Sequence, residues 1–235
     1  EIHRNLIQRV NVGDSLTRTA ARYPDALALA DGTRRVTYRE FNRLVNRFAA
    51  GLTGRGYRRG DALALASGNS VEFLVTYYAC AKLGVVCVPV NLGWRPDEVS
   101  YVLGHSRSRG IVIESQLVPA LAEVIGKQEG MNEVIVAPGT DGDTGTRSGD
   151  IEGSVTFAAL LADTDAEPEC LVGDRDPLSY LYTSGTTSFP KGVVGNHTSI
   201  YLESLSVAVE ARFNETDRFA AMMPMFHTCL LYTSD

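Results

Sequence analysis

A doubly wound, layered α/β fold is what this sequence predicts, on three observations. Strand, helix and strand follow one another within thirty residues, between 62 and 90. The succession then repeats as far as residue 137. The apolar runs that read as strands are short and nearly continuous, as in parallel strands covered by helices.

The first element with a clear pattern spans residues 37–54. Thr37 and Glu40 stand at capping-box spacing, and Tyr38, Phe41, Leu44, Val45, Phe48 and Leu52 fall on one helical face. Gly54 and Gly56 end this helix, and Asp61 leads into the run 62–66, a buried strand. A helix over about 70–83 follows and is closed by Gly84 before the β-branched run 85–90. The pattern continues as a helix near 96–103, a strand at 111–114, a helix near 117–125 and a strand at 134–137. Between 138 and 154 the composition turns to Gly, Asp, Thr and Ser, which cannot bury itself, so a mobile surface loop is expected. A functional lid is the weaker alternative, because Arg147 alone could grip a ligand there.

The totals narrow the function classes. With 235 residues, 44% of them hydrophobic, the chain can bury a substantial core. A net charge of -6 argues against a nucleic-acid partner and for small molecules. Cys80, Cys87, Cys170 and Cys229 form no CxxC pair and have no zinc-like His spacing, so buried free thiols in a reducing compartment are expected. The longest apolar stretch, 77–90, is interrupted by Lys82 and Gly84 and is too short to span a bilayer. A cytoplasmic setting follows, with peripheral membrane association left open.

The chemistry-bearing segment comes after a β-rich run at 178–182. Thr183, Ser184, Gly185, Thr186, Thr187 and Ser188 put five hydroxyls and one Gly into six positions, and Lys191 adds a cation before the apolar pair Val193 and Val194. Backbone N–H groups, hydroxyls and an ammonium can converge on phosphate oxygens, and strand, polar loop, strand is the expected layout. An ordinary Ser/Thr/Gly surface turn is the plain alternative. A Walker A loop does not fit, because Pro190 sits where its second Gly belongs and Gly192 where its metal-binding hydroxyl belongs.

Residues 182–193 resemble the signature loop of the adenylate-forming, AMP-binding superfamily, YTSGTTGxPKGV, with Ser188 as the one departure. About eight fixed positions make a chance match on the order of one in ten billion per window, which disposes of the surface turn. The stretch through Thr37, Tyr38, Gly60, Asp61, Asn69, Lys82, Leu83, Gly84, Pro89, Val90 and Asn91 is similar to the N-terminal pattern of acyl-CoA synthetases. His197 matches the family's His after the loop, and 223–227, Met-Pro-Met-Phe-His, resembles the next signature, which borders the acyl or aryl substrate tunnel.

The resemblance implies that Thr183, Ser184, Gly185, Thr186, Thr187, Ser188 and Lys191 hold ATP phosphates. It implies that Met225, Phe226 and His227 contact the substrate acid; apart from the resemblance, a hydrogen-bonded strand end would suit His227 and a place in the core would suit Met225 and Phe226. ATP, Mg2+ and coenzyme A are the implied cofactor and co-substrates. Chemistry then rests on positioning and charge neutralisation, with no protein nucleophile. Ser188 in place of Gly constrains the loop if that position needs a positive φ, and slower turnover is the consequence.

Family members are more than twice this long, and their adenine, magnesium and ribose residues and the C-terminal Lys come later. The expectation is therefore an N-terminal part of the adenylation domain over residues 1–228, inactive alone. Residues 229–235 resemble translated adapter sequence and are expected to be a non-native tail. A fatty acyl-CoA ligase leads. An aryl-acid or amino-acid adenylating enzyme, and an inactive ATP-binding fragment, stand as alternatives.

Overall fold

Asn11 opens helix α1 (Val12–Arg22), its side chain accepting from the amides of Gly13 and Asp14, so a donor-rich helix start is satisfied by one Asn. A computed structural model describes residues 9–32, 34–139, 151–183 and 189–227 of the chain. The antiparallel hairpin β1 (Leu27–Asp31) and β2 (Arg34–Thr37) leads into α2 (Tyr38–Gly54). The expected capping box is present: the Thr37 amide donates to Glu40 Oε2 at 2.8 Å, and the Glu40 amide to Thr37 Oγ1 at 3.3 Å. Phe41, Val45, Phe48 and Leu52 form the buried face of α2, and Tyr38 and Leu44 pack partly buried beside them.

The main sheet follows in the expected rhythm: β3 (Ala62–Ala66), α3 (Val71–Leu83), β4 (Val86–Pro89), α4 (Pro96–His105), β5 (Ser108–Glu114), α5 (Val118–Gly126) and β6 (Glu133–Ala137). Ser70 caps α3 by accepting from the Phe73 amide at 3.0 Å, and Gly84 ends it in the left-handed region at φ 69°. Strand β5 begins three residues before the apolar run. Buried Ser108 hydrogen-bonds to buried Ser106, so these polar residues enter the sheet without an unpaired group.

β7 (Val155–Thr156) pairs with β6 and is followed by α6 (Phe157–Leu160). β8 (Pro177–Thr183), β9 (Lys191–Asn196) and α7 (His197–Glu210) complete the described elements. The expected surface loop lies mostly outside the described residues, and the proposed tail wholly so.

The seven strands run in the order β7-β6-β5-β3-β4-β8-β9, parallel except for the β8–β9 pair. Alternation along the strands sorts side chains to two faces. Leu63, Leu65, Val112, Ile135 and Ala137 join α1, α2 and α3 in one core. Ala64, Ala66, Ile111, Ile113, Val134 and Val136 join α4 and α5 in the other. Helices on both faces make this the doubly wound fold that the sequence predicts. One edge is bare among the described residues: Val193 and Val194, on opposite faces of β9, are both exposed, as are Leu202, Leu205 and Val209 of α7.

The segment between α6 and β8 has no regular structure and is tied down by buried polar groups instead. The Lys82 ammonium, 2% exposed, donates to Asn42 Oδ1 and Asn46 Oδ1 at 2.7 Å each and to Glu167 Oε2 at 2.6 Å. Asn42 and Thr17 also donate to Glu167, at 2.6 and 3.1 Å, so one carboxylate draws α1, α2 and α3 together.

Candidate functional site

Ligands in open α/β sheets bind outside the carboxyl ends of the strands, at the crevice where the strand order reverses. Here the reversal falls between β3 and β5. That crevice is filled from within. Buried Glu114 accepts from Ser67 Oγ at 2.7 Å, from the Gly68 amide at 2.9 Å and from Gln116 Nε2 at 2.7 Å. A carboxylate in that position repels an anionic ligand, which turns attention along the same edge to the end of β8.

There β8 and β9 form a hairpin in which Thr183 is the cross-strand partner of Lys191 and Tyr182 of Gly192. The two strands flank the signature segment, and the register sets the Thr183 hydroxyl beside the Lys191 cation. Both are exposed at the mouth of the hairpin. Gly192 admits the Tyr182 ring, since a Cβ there would stand 3.1 Å from Tyr182 Cζ. Ser184, Gly185, Thr186, Thr187 and Ser188, the remaining candidate phosphate ligands, lie outside the described residues.

The flanks of the loop are held to α4 by an aromatic cluster. Tyr182 Oη lies 2.8 Å from His105 Nδ1, Tyr101 stacks on His105, and Phe189 stacks on Tyr101 with centroids 4.6 Å apart. Burial pushes the Tyr182 hydroxyl up to about 12, with Tyr101 and Tyr180 adding to the shift, so it is a neutral phenol at pH 7. Sequence reasoning missed Tyr101 and His105. Their spacing of four residues on a helix, which puts two polar aromatics on one face, was the available signal.

The second candidate motif lies beyond β3 on the same sheet edge. Met225 and Phe226 are partly buried and pack against the core, while His227 is exposed. Met225 also lines an open cleft of about 570 Å3, with Leu29, Val71, Leu74 and Phe219. Asn69, in the turn after β3, binds this segment through three hydrogen bonds. Among the described residues no three His, Cys, Asp or Glu side chains converge as a metal site. No helix of the described residues is long and apolar enough to cross a membrane.

His197 takes no part in the hairpin mouth. It is the first residue of α7, at the opposite end of the β8–β9 pair, where Asn196 partners Pro177. Fully buried, its Nδ1 accepts from the Val12 amide at 3.2 Å, which fixes the proton on Nε2. Burial pushes the imidazole down to about 4, against the attraction of Asp176.

The unfolded chain, with an ordinary value near 6.5, therefore binds the extra proton first as pH falls. His197 costs nothing above about pH 6.5 and destabilises increasingly toward pH 4, by up to roughly 3 kcal/mol. The thermal midpoint should fall between pH 7 and 5, and His197→Gln should flatten that slope. An equal slope in the variant would assign the effect to other groups.

With the fold and site in place, the comparisons agree on one class. A family model described as AMP-binding enzyme matches residues 16–233, nearly the whole chain. This chain belongs to the AMP-binding enzyme family. It is 34% identical over 226 residues to the long-chain-fatty-acid–CoA ligase FadD13 of Mycobacterium tuberculosis, covering 95% of this chain and 42% of that protein. It is 28% identical to 4-hydroxybutyrate–CoA ligase 2 of Metallosphaera sedula, across 90% of this chain and 39% of that one. The inhibitor-bound crystal structure of the N-terminal domain of FACL13 from Mycobacterium tuberculosis superposes with a TM-score of 0.80 at 33% identity, covering 95% of this chain and 53% of that one. The chain thus spans less than half the length of these curated relatives.

Proposed function

We propose that this chain is the N-terminal, phosphate-binding part of an ATP-dependent acid–thiol ligase that activates a carboxylic acid, first of all a fatty acid, and passes it to coenzyme A. The observation that carries this is the β8–β9 hairpin. It sets Thr183 beside Lys191 on the carboxyl edge of a doubly wound sheet, within a loop that matches the family signature. Thr183, Ser184, Gly185, Thr186, Thr187, Ser188 and Lys191 hold the β- and γ-phosphates of ATP. A carboxylate oxygen attacks the α-phosphorus, the bond to the bridging oxygen breaks, and pyrophosphate leaves with that electron pair. The thiolate of coenzyme A then attacks the acyl carbon of the mixed anhydride, releasing AMP. Lys191 and the loop dipoles supply charge neutralisation.

Met225, Phe226 and His227 face the acid in this proposal, and the apolar cleft beside Met225 supports an aliphatic substrate. The overall reaction is assigned to a family-length polypeptide. The bare apolar surface of β9 and α7 supports further chain packing there, because an uncovered strand edge of this kind invites pairing. Cys80, Cys87 and Cys170 are free thiols, which supports a reducing, cytoplasmic setting.

The test is carboxylate-dependent ATP–pyrophosphate exchange by the full-length gene product, with medium and long fatty acids, aryl acids and amino acids. Exchange with fatty acids is the expected result. Exchange with aryl or amino acids alone would transfer the assignment to another branch of the family, and none with any acid would leave only nucleotide binding.

A further inference from the structure

Asn69 sits in the turn Ser67–Gly68–Asn69 between β3 and α3, immediately before the capping residue Ser70. Its carboxamide is fully used, and every partner lies more than 150 residues away in sequence. Nδ2 donates to the Ala221 carbonyl at 2.8 Å and to the Met223 carbonyl at 2.9 Å. Oδ1 accepts from the Met225 amide at 2.8 Å. The three partners belong to an irregular segment, with a bend at Met223 and a turn at 225–226, so a single side chain gathers backbone groups that no regular element holds. Among the described residues no strand pairs with this segment.

An amide suits this task as no other short side chain does. It offers two donors and an acceptor at one branch point, and the segment presents two carbonyls and one N–H. A carboxylate of the same shape keeps the acceptor, loses both donors and sets a negative charge against two carbonyl oxygens. The segment has little else to fix its height over the sheet. Phe219, Met222 and Met223 are exposed, and only Met225 and Phe226 reach the core.

We propose that Asn69 is a positioning residue for acid binding: it fixes residues 221–225, and through them sets Met225, Phe226 and His227 at the carboxyl edge of the sheet. This rests on the proposed function for what those three residues meet, and on geometry alone for the clamp. Asn69 borders the same cleft as Met225, and its carboxamide is engaged by residues 221–225 rather than by the acid in this assignment.

Two measurements on the full-length gene product separate the parts. In hydrogen–deuterium exchange, Asn69→Asp should speed exchange of the 221–227 peptide while peptides from β3 and α3 keep wild-type protection. Unchanged protection of 221–227 overturns the clamp, whatever the enzyme does.

In steady-state kinetics, losing the two hydrogen bonds donated by Asn69 should raise KM for the acid roughly tenfold or more, with KM for ATP within about twofold. Equal rises in both constants, or a fall in kcat alone, overturns the positioning role and leaves Asn69 a general structural residue. If the wild type exchanges pyrophosphate with no acid, the proposed function fails, and hydrogen exchange still decides whether Asn69 holds the segment.

Discussion

Lys191→Ala is expected to lower carboxylate-dependent pyrophosphate exchange of the full-length gene product by about 100- to 1,000-fold, the usual consequence of removing one preorganised charge from a developing anionic centre. Lys191 opens β9 opposite Thr183, and both side chains are exposed, so the ammonium is free of any folding role among the described contacts. Exposed substitutions of this kind change stability by no more than about 0.5 kcal/mol. The thermal midpoint should therefore stay at the wild-type value while exchange collapses.

Lys191→Arg keeps the charge but replaces a compact ammonium with a planar fork. Partial recovery is expected, because the hairpin fixes the backbone and leaves the head group to find the phosphates. Exchange retained within threefold in Lys191→Ala would remove this hairpin from the phosphate site.

The parallel sheet was legible because its signals are strong and local. The run 62–66 is wholly buried as β3, the Thr37–Glu40 box caps α2, and Gly84 ends α3. What sequence reasoning passed over has a different character. Helix α7 went unseen because Ile200, Tyr201, Leu202, Leu205, Val207 and Val209 spread around most of the helix, so no clean apolar face announces it. Its start is marked only by Asn196 with Ser199, a weaker pair than Thr37 with Glu40.

The order of the strands was equally hidden. β5 lies beside β3 rather than beside β4, and its neighbour is decided by which face the α4 connection crosses. At the site, the signature loop was plain from residues 182–193, yet it says nothing of what supports it. Tyr101, His105 and Asn69 act across separations of 77 residues or more, which no local pattern encodes. His197, to which the resemblance assigned no role, shows the reverse relation. A position that matches the family turns out to bind the Val12 amide inside the core, far from the hairpin mouth.

Lys82→Ala should strongly destabilise the fold. The ammonium is 2% exposed and serves three acceptors at 2.6–2.7 Å. Burial pushes Lys82 down. Burial alone would push the Glu167 carboxyl up, but the Lys82 charge and the Asn42 and Asn46 amides outweigh it and hold Glu167 below the ordinary carboxylate range. We take the pair as charged, because neutral forms would waste the short contacts on both sides.

Removing the lysine leaves a mostly buried carboxylate without its counter-charge, still hydrogen-bonded by Asn42 and Thr17, and two amide oxygens without their donor, a loss of about 3–5 kcal/mol. For a domain of this size that is a fall in thermal midpoint of roughly 6–20 °C. The pH dependence follows from the sign of the Glu167 shift. Its folded value is depressed, so its stabilisation is present above the unfolded carboxylate pKa and is lost as pH falls through the folded one.

In the Lys82→Ala variant that acid loss should shrink, since the carboxylate has lost the charge that depressed it. Lys82→Met combined with Glu167→Gln should recover much of the midpoint. It removes both buried charges while keeping the volume and leaving an amide that can donate to Asn42 or Asn46. Single variants whose losses simply add in the double variant would show that Lys82 and Glu167 act independently, and the tie between the 162–176 segment and α3 would then have to rest on other contacts, such as Cys170 Sγ donating to the Leu83 carbonyl at 3.1 Å.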